Sequence, residues 1–242
     1  MKRYRWLLGC CLFLSIGMLW AADEPDLRML QQKAAQSRDM EGYVGVCKYL
    51  YQTEENPELL LLYADSIHQL ATKSKKPEQL VEYYIWASEG NFIKGDFQQG
   101  YALKRKAIAL AEKAGLKFAI SQSCCDMGYY CNVDARYDSA RYYFRKGLEA
   151  GEDLSEAGEA CRTMLTNYAS SFLFEGKTDS ALVYTIRASE RSAADKDTAM
   201  LIENLNQLGT IYRRKKDLEN CIANFEQALH LCELRGNHNA VA

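Results

Sequence analysis

Nine cysteines and three histidines are the residues of this 242-residue chain best suited to hold a metal or attack a substrate. Their spacing supports neither role. No Cys-x2-Cys pair occurs, and His230, Cys232 and His238 are too loosely spaced for a tetrahedral zinc site. No glycine-rich phosphate loop or nucleophile elbow is present, and no carboxylate pair sits at a turn. The acidic pairs Glu54-Glu55 and Glu152-Asp153 read as solvated helix ends. The chain is therefore expected to be no enzyme, with no metal and no cofactor. Cys10 and Cys11 belong to an amino-terminal apolar run. Cys47, Cys124, Cys131 and Cys221 fall on packing positions of a repeating pattern, where a small apolar side chain is wanted. Cys125, Cys161 and Cys232 lie off that pattern. They remain open to disulfide pairing in an oxidising compartment, with no connectivity given by spacing, or to use as an exposed reactive thiol.

The repeating pattern is clearest over 202–235. Leu205, Leu208, Gly209 and Tyr212 share one helical face, and Cys221, Phe225 and Ala228 share the face of a second helix beyond a Lys215-Lys216-Asp217 turn. Bulky residues beside a glycine, met by a small residue opposite, let two antiparallel helices approach closely. The same arrangement returns 40, 41 and 40 residues upstream. The copies read Leu165, Tyr168, Ala169 and Phe172 with Ala181 and Ala188; Cys124, Met127, Gly128 and Cys131 with Ala140, Phe144 and Gly147; and Tyr84, Ala87, Ser88 and Asn91 with Gly100 and Ala107. The turns Gly95-Asp96, Ala135-Arg136, Gly176-Lys177 and Lys216-Asp217 keep the same steps.

Leu205-x2-Leu208-Gly209-x2-Tyr212 followed by Cys221-x3-Phe225-x2-Ala228 resembles the tetratricopeptide (TPR) repeat, with leucine in place of its tryptophan and cysteine in place of an alanine. The step is longer than the family's usual period of about 34. The resemblance implies an all-α fold, a right-handed superhelical α-solenoid of antiparallel helix pairs. Its expected divisions are a degenerate amino-terminal capping repeat at 26–80, repeats at 81–120, 121–161, 162–201 and 202–236, and a tail at 237–242. In the first of these, helices are expected over 26–38 and 41–52 and from Asn56-Pro57 onward. Lys48 falls where the 40-residue step calls for a small residue, which marks that unit as atypical. Pro77 is expected to open the first clear repeat, and Gly115, Gly151 and Gly236 to end second helices.

TPR arrays hold ligands along a concave wall made by their first helices. One step round from the packing face, that wall is expected to present Ile85, Phe92 and Ile93, then Tyr129, Asn132 and Val133, then Thr166, Leu173 and Phe174, and finally Asn206, Arg213 and Arg214. The basic and asparagine clamp by which some family members grip a terminal carboxylate is missing, since Ile85, Cys125 and Thr166 cannot supply it. A largely apolar and aromatic wall suits an amphipathic helix or an extended peptide. The expected partner is therefore a protein or peptide.

Composition agrees with a folded helical chain, 48% hydrophobic and 26% charged, with only three prolines. The formal charge of −2 has no basic excess for a phosphate backbone, so no nucleic acid partner is expected. Residues 1–22 read as a signal peptide, with a basic start, an apolar run and Ala21-Ala22 at its end. Export then places the array in a bacterial periplasm, or anchored facing it, and long-period TPR arrays behind such leaders resemble the sensory part of some membrane-spanning regulators. The alternative is a glycan- or nutrient-binding envelope lipoprotein on a TPR-like frame, although the lipobox-like Leu7-Leu8-Gly9-Cys10 precedes the apolar core. TPR arrays usually finish with an extra helix. With the last second helix expected to end near Arg235, self-association or a downstream segment is expected to cover that end.

Overall fold

The computed structural model describes residues 27–54 and 56–241. The leader expected at 1–22 and the Cys10 box lie outside the described residues. Eleven α-helices are described: α1 (Leu27–Ser37), α2 (Met40–Thr53), α3 (Pro57–Ser74), α4 (Pro77–Lys94), α5 (Phe97–Ala114), α6 (Lys117–Val133), α7 (Tyr137–Gly151), α8 (Gly158–Phe174), α9 (Thr178–Ala194), α10 (Thr198–Arg214) and α11 (Leu218–Val241). A 3-10 turn at Ser155–Ala157 precedes α8, and no strand occurs among the described residues. After α1 the helices follow one another as antiparallel pairs, the all-α solenoid type of fold. The first helices α4, α6, α8 and α10 begin at Pro77, Lys117, Gly158 and Thr198, keeping the steps of 40, 41 and 40. These starts lie four residues before the divisions at 81, 121, 162 and 202.

Each pair turns on the same backbone device. The last helical residues are followed by one in the left-handed region, Gly95, Ala135, Gly176 or Lys216. The next amide then reaches back five residues. Asp96 N–H donates to the Asn91 carbonyl at 2.9 Å, Arg136 to Cys131 at 2.8 Å, Lys177 to Phe172 at 2.9 Å and Asp217 to Tyr212 at 3.0 Å. This closure satisfies helix-end carbonyls that would otherwise lack donors. Asp39, Asn56, Asp96 and Asp197 then accept from amides at the start of the helices that follow, at 2.8–3.0 Å.

Glycine sets how closely the pairs close. A Cβ at Gly209 would stand 2.8 Å from the Phe225 ring, and one at Gly128 would overlap Phe144. In α4/α5 the roles are exchanged: Phe92 on the first helix lies over Gly100 on the second. Two compact units result, one ending at Met127 and the other starting at Gly128, so the division falls within α6. The first is centred on Val46, Leu50, Leu60, Ile67, Val81 and Trp86. In the second, Leu173, Ala181 and Ile211 form one apolar cluster and Leu205, Leu208 and Ala228 another.

Three local expectations are corrected. Gly236 ends no helix, because α11 continues to Val241 and the tail expected at 237–242 is helical that far. Gly151 is the last residue of α7, but the residue after it, Glu152, keeps right-handed helical angles, so no left-handed stop forms there. The helix over 40–53 begins only 37 residues before α4, three short of the step. Lys48 is thereby turned to solvent while Val46, Cys47 and Leu50 fill the contact.

Candidate functional site

First helices in this fold are packed by their own second helix and by adjacent pairs, so little of their circumference reaches water. That decides the fate of the expected groove residues. In the unit ending at Met127, Ile85 and Phe92 are core residues, Phe92 only 1% exposed with its ring edge-on to Tyr101 at 5.1 Å. Ile93 is half-buried against the same core. The expectation that Ile85 and Phe92 face a ligand is therefore corrected: one step round from the close contact still lies beneath the neighbouring helices.

In the unit from Gly128 onward, Asn132, Thr166 and Leu173 are likewise buried, for a different reason. They are polar and apolar pegs between helices. Asn132 donates through Nδ2 to the Asn167 carbonyl at 3.0 Å. The Thr166 hydroxyl donates to Asn204 Oδ1 at 2.9 Å, and Asn204 Nδ2 passes the chain on to Ser192 Oγ at 3.1 Å. Gln207 donates to Ser170 Oγ at 2.7 Å and accepts from Thr185 at 3.2 Å. Arg162 holds Asp195 and Asp197 at 2.9 Å each. These bonds join residues 12 to 38 apart in sequence and fix α6, α8, α9 and α10 in register. Leu173 belongs to the apolar cluster with Ala181 and Ile211.

What remains accessible is narrower than the expected wall. Tyr129 and Val133 are half-buried, and Asn206, Arg213, Arg214 and Phe174 are exposed. Phe174, the last residue of α8, is 43% exposed with its ring 6.0 Å from that of Tyr137. Arg214, the last residue of α10, donates from Nη1 to the Leu173 carbonyl at 2.9 Å, which brings its guanidinium next to Phe174. The ends of successive first helices thus place a guanidinium on the backbone next to the residue that carries an exposed aromatic ring. An apolar anchor with an adjacent anion-binding fork suits a peptide carrying both kinds of side chain.

Sequence reasoning missed a buried ion network in the other unit. The Lys104 ammonium on α5 has no exposed surface and is bonded to Glu89 on α4 and, at 2.9 Å, to Asp126 on α6. Burial by itself pulls the ammonium pKa down. Asp126 and Glu89 more than reverse that pull, so the pKa stands above the ordinary lysine value. The signal was present in the repeat: Lys104 occupies the step at which Phe144 and Phe225 occur. A lysine in an aromatic row requires a buried partner. On α10, Glu203 is raised to about 7, first by burial and then by Asp197. Cys47 is pushed up to about 12, first by burial and then by Glu82, which makes it an inert packing thiol. All seven cysteines of the described residues stand as thiols; Cys125 and Cys161 are buried and Cys232 is exposed. Among the described residues no group of three or more His, Cys, Asp or Glu is placed to hold a metal, and no helix is long and apolar enough to cross a membrane.

No family model matches the chain, and no curated protein matches it in sequence. Solved structures do resemble it. BtubC (BKLC) from P. vanneervenii is 14% identical with a TM-score of 0.70, over 87% of this chain and 88% of that one. The apo form of RapI is 10% identical with a TM-score of 0.68, over 96% of this chain, which spans 65% of RapI. Bacillus thuringiensis PlcR, solved in complex with the peptide PapR7 and DNA, is 13% identical with a TM-score of 0.51, over 100% of this chain and 96% of PlcR. These likenesses establish the TPR-like helical repeat fold.

Proposed function

We propose that this chain is a non-enzymatic interaction scaffold that holds a peptide or helix across the ends of the first helices α8 and α10. The observation that carries this reading is the juxtaposition of exposed Phe174 with Arg214, which is bonded to the adjacent Leu173 carbonyl. Exposed large aromatic residues beside arginine are the composition of interaction hot spots. The rigid lattice from Thr166 to Asn204 and from Ser170 to Gln207 holds this pair on a preformed surface, which lowers the ordering cost of binding. The peptide in the PlcR complex is consistent with the same use of a similar fold. The net charge of −2 favours a protein over a nucleic acid partner.

Panning a random-peptide display library on the wild type and on a Phe174→Ala, Arg214→Ala variant tests the reading. Selected peptides are expected to bind the wild type at least tenfold more tightly. Equal binding by the variant removes these helix ends from the function. Export belongs to the same proposal, with residues 1–22 as a cleaved leader and the scaffold acting in or facing a periplasm as the sensory part of a membrane-spanning regulator. Mass spectrometry of the mature protein is expected to find a start near Ala22 or Asp23. An intact Met1 in the cell's soluble fraction would reject export, and a lipid-modified cysteine would favour an envelope lipoprotein.

A further inference from the structure

The unit from Gly128 onward contains a second concavity, a cleft of about 450 Å³ walled by α7 and α9 and floored by α8. That volume lies within the range of about 300–1,000 Å³ usual for ligand sites. Helical spacing explains its lining. Arg145 and Leu148 on α7 and Glu152 just beyond its end follow at i, i+3 and i+7, and Tyr184, Arg187 and Arg191 do so on α9. Cys161, Leu165 and Tyr168 follow at i, i+4 and i+7 along the floor.

Charge is unevenly placed along the cleft, whose lining carries Arg145, Arg187 and Arg191 against the carboxylates of Glu152 and Glu190. At one end Arg191 donates to Asp195 at 2.9 Å and feels the charge of Glu152, so its guanidinium is already matched. At the other end stand Tyr168 and Tyr184, ring centroids 4.6 Å apart at 70°. Burial and then Tyr184 raise the Tyr168 phenol, a rise that Arg145 opposes electrostatically, and Arg187 lies 5.9 Å over the Tyr184 ring. Neither Arg145 nor Arg187 has an ion pair among the described residues. Two guanidiniums without an ion-pair partner among the described residues therefore flank a pair of phenols at the edge of a cleft. Guanidinium forks bond carboxylate and phosphate oxygens in two-point fashion, and phenol hydroxyls add further polar contacts.

We propose that the tyrosine end of this cleft binds an oxyanion, a carboxylate or phosphate group, between Arg145 and Arg187. The site is separate from Phe174 and Arg214 and does not depend on their role. Isothermal titration of the full chain with two probes tests it: the peptide acetyl-Glu-Tyr-Glu-Glu-amide and inorganic phosphate. Arg145 and Arg187 are exposed, so Arg145→Gln, Arg187→Gln leaves the fold intact, as its circular dichroism is expected to confirm. The variant Lys113→Gln, Lys117→Gln, two exposed residues of the other unit, serves as the control of equal charge. Saturable binding of at least one probe is expected, weakened at least tenfold in the Arg145, Arg187 variant and unchanged in the control. Binding of the peptide alone identifies an acidic peptide as the source of the anion, and binding of both probes a phosphate- or carboxylate-bearing small ligand. No saturable binding of either probe, or an equal loss in both variants, overturns the proposal.

Discussion

A methyl group added at Gly209 would lie 2.8 Å from the Phe225 ring, closer than van der Waals contact permits. Gly209→Ala is therefore expected to cost about 1–3 kcal/mol through overpacking of α10 on α11, read as a lower urea midpoint. The same change at Gly45, which has open space around it, is expected to leave that midpoint unchanged or raised. Glu203 adds a pH dependence. Its carboxyl rises from 4.5 to about 7 on folding, from burial and from Asp197. Between those pH values the folded chain keeps a proton that the unfolded chain has released. Stability therefore falls as pH rises from 4.5 to 7 and is level above. Glu203→Gln removes this loss, and the variant's melting temperature is expected to gain about 2–4 °C on the wild type at pH 8, with little gain at pH 4.5. Equal differences at both pH values would discard the assignment. Gly209 and Phe225 were legible in the sequence as packing partners. Glu203 was not, because its pKa depends on burial and on Asp197, six residues away.

Between elements, the most consequential contact is the one tying α4, α5 and α6 through Lys104. Removing one partner of a buried ion network leaves an uncompensated charge, so Lys104→Met is expected to destabilise by about 3–5 kcal/mol. Lys104→Met combined with Glu89→Met is expected to recover part of that loss, since Asp126 is partly exposed and can rehydrate. A double variant less stable than Lys104→Met would show that the ions are not the cause. The turns were the most legible elements, since Gly95-Asp96 and Lys216-Asp217 announce both the left-handed stop and the next cap. The end of α11 was not. Gly236 stands where the sequence leads one to expect a terminator, yet a glycine ends a helix only where the chain adopts the left-handed region, and the backbone stays helical to Val241.

Across the molecule, the outer face of α11 carries Leu218, Ile222 and Leu229, 55–65% exposed. They stand one repeat beyond Thr178, Leu182 and Ser189, of which Leu182 packs against the apolar clusters. Replacing all three by serine is expected to change stability by no more than about 0.5 kcal/mol per site, measured by thermal unfolding. A larger loss would mean that the face is covered in solution. Large and small residues recurring every forty positions were enough to specify an all-helical array of paired helices. That pattern records which surfaces must touch within a pair, and each pair hides its apolar side only by stacking. The residues left for a partner were settled only by three-dimensional packing. Ile85, Phe92, Asn132, Thr166 and Leu173 share a helical angle with exposed Arg213, and only the helices closing on both sides of each first helix separate them from it, whereas exposed Phe174 lies about 100° round from Leu173.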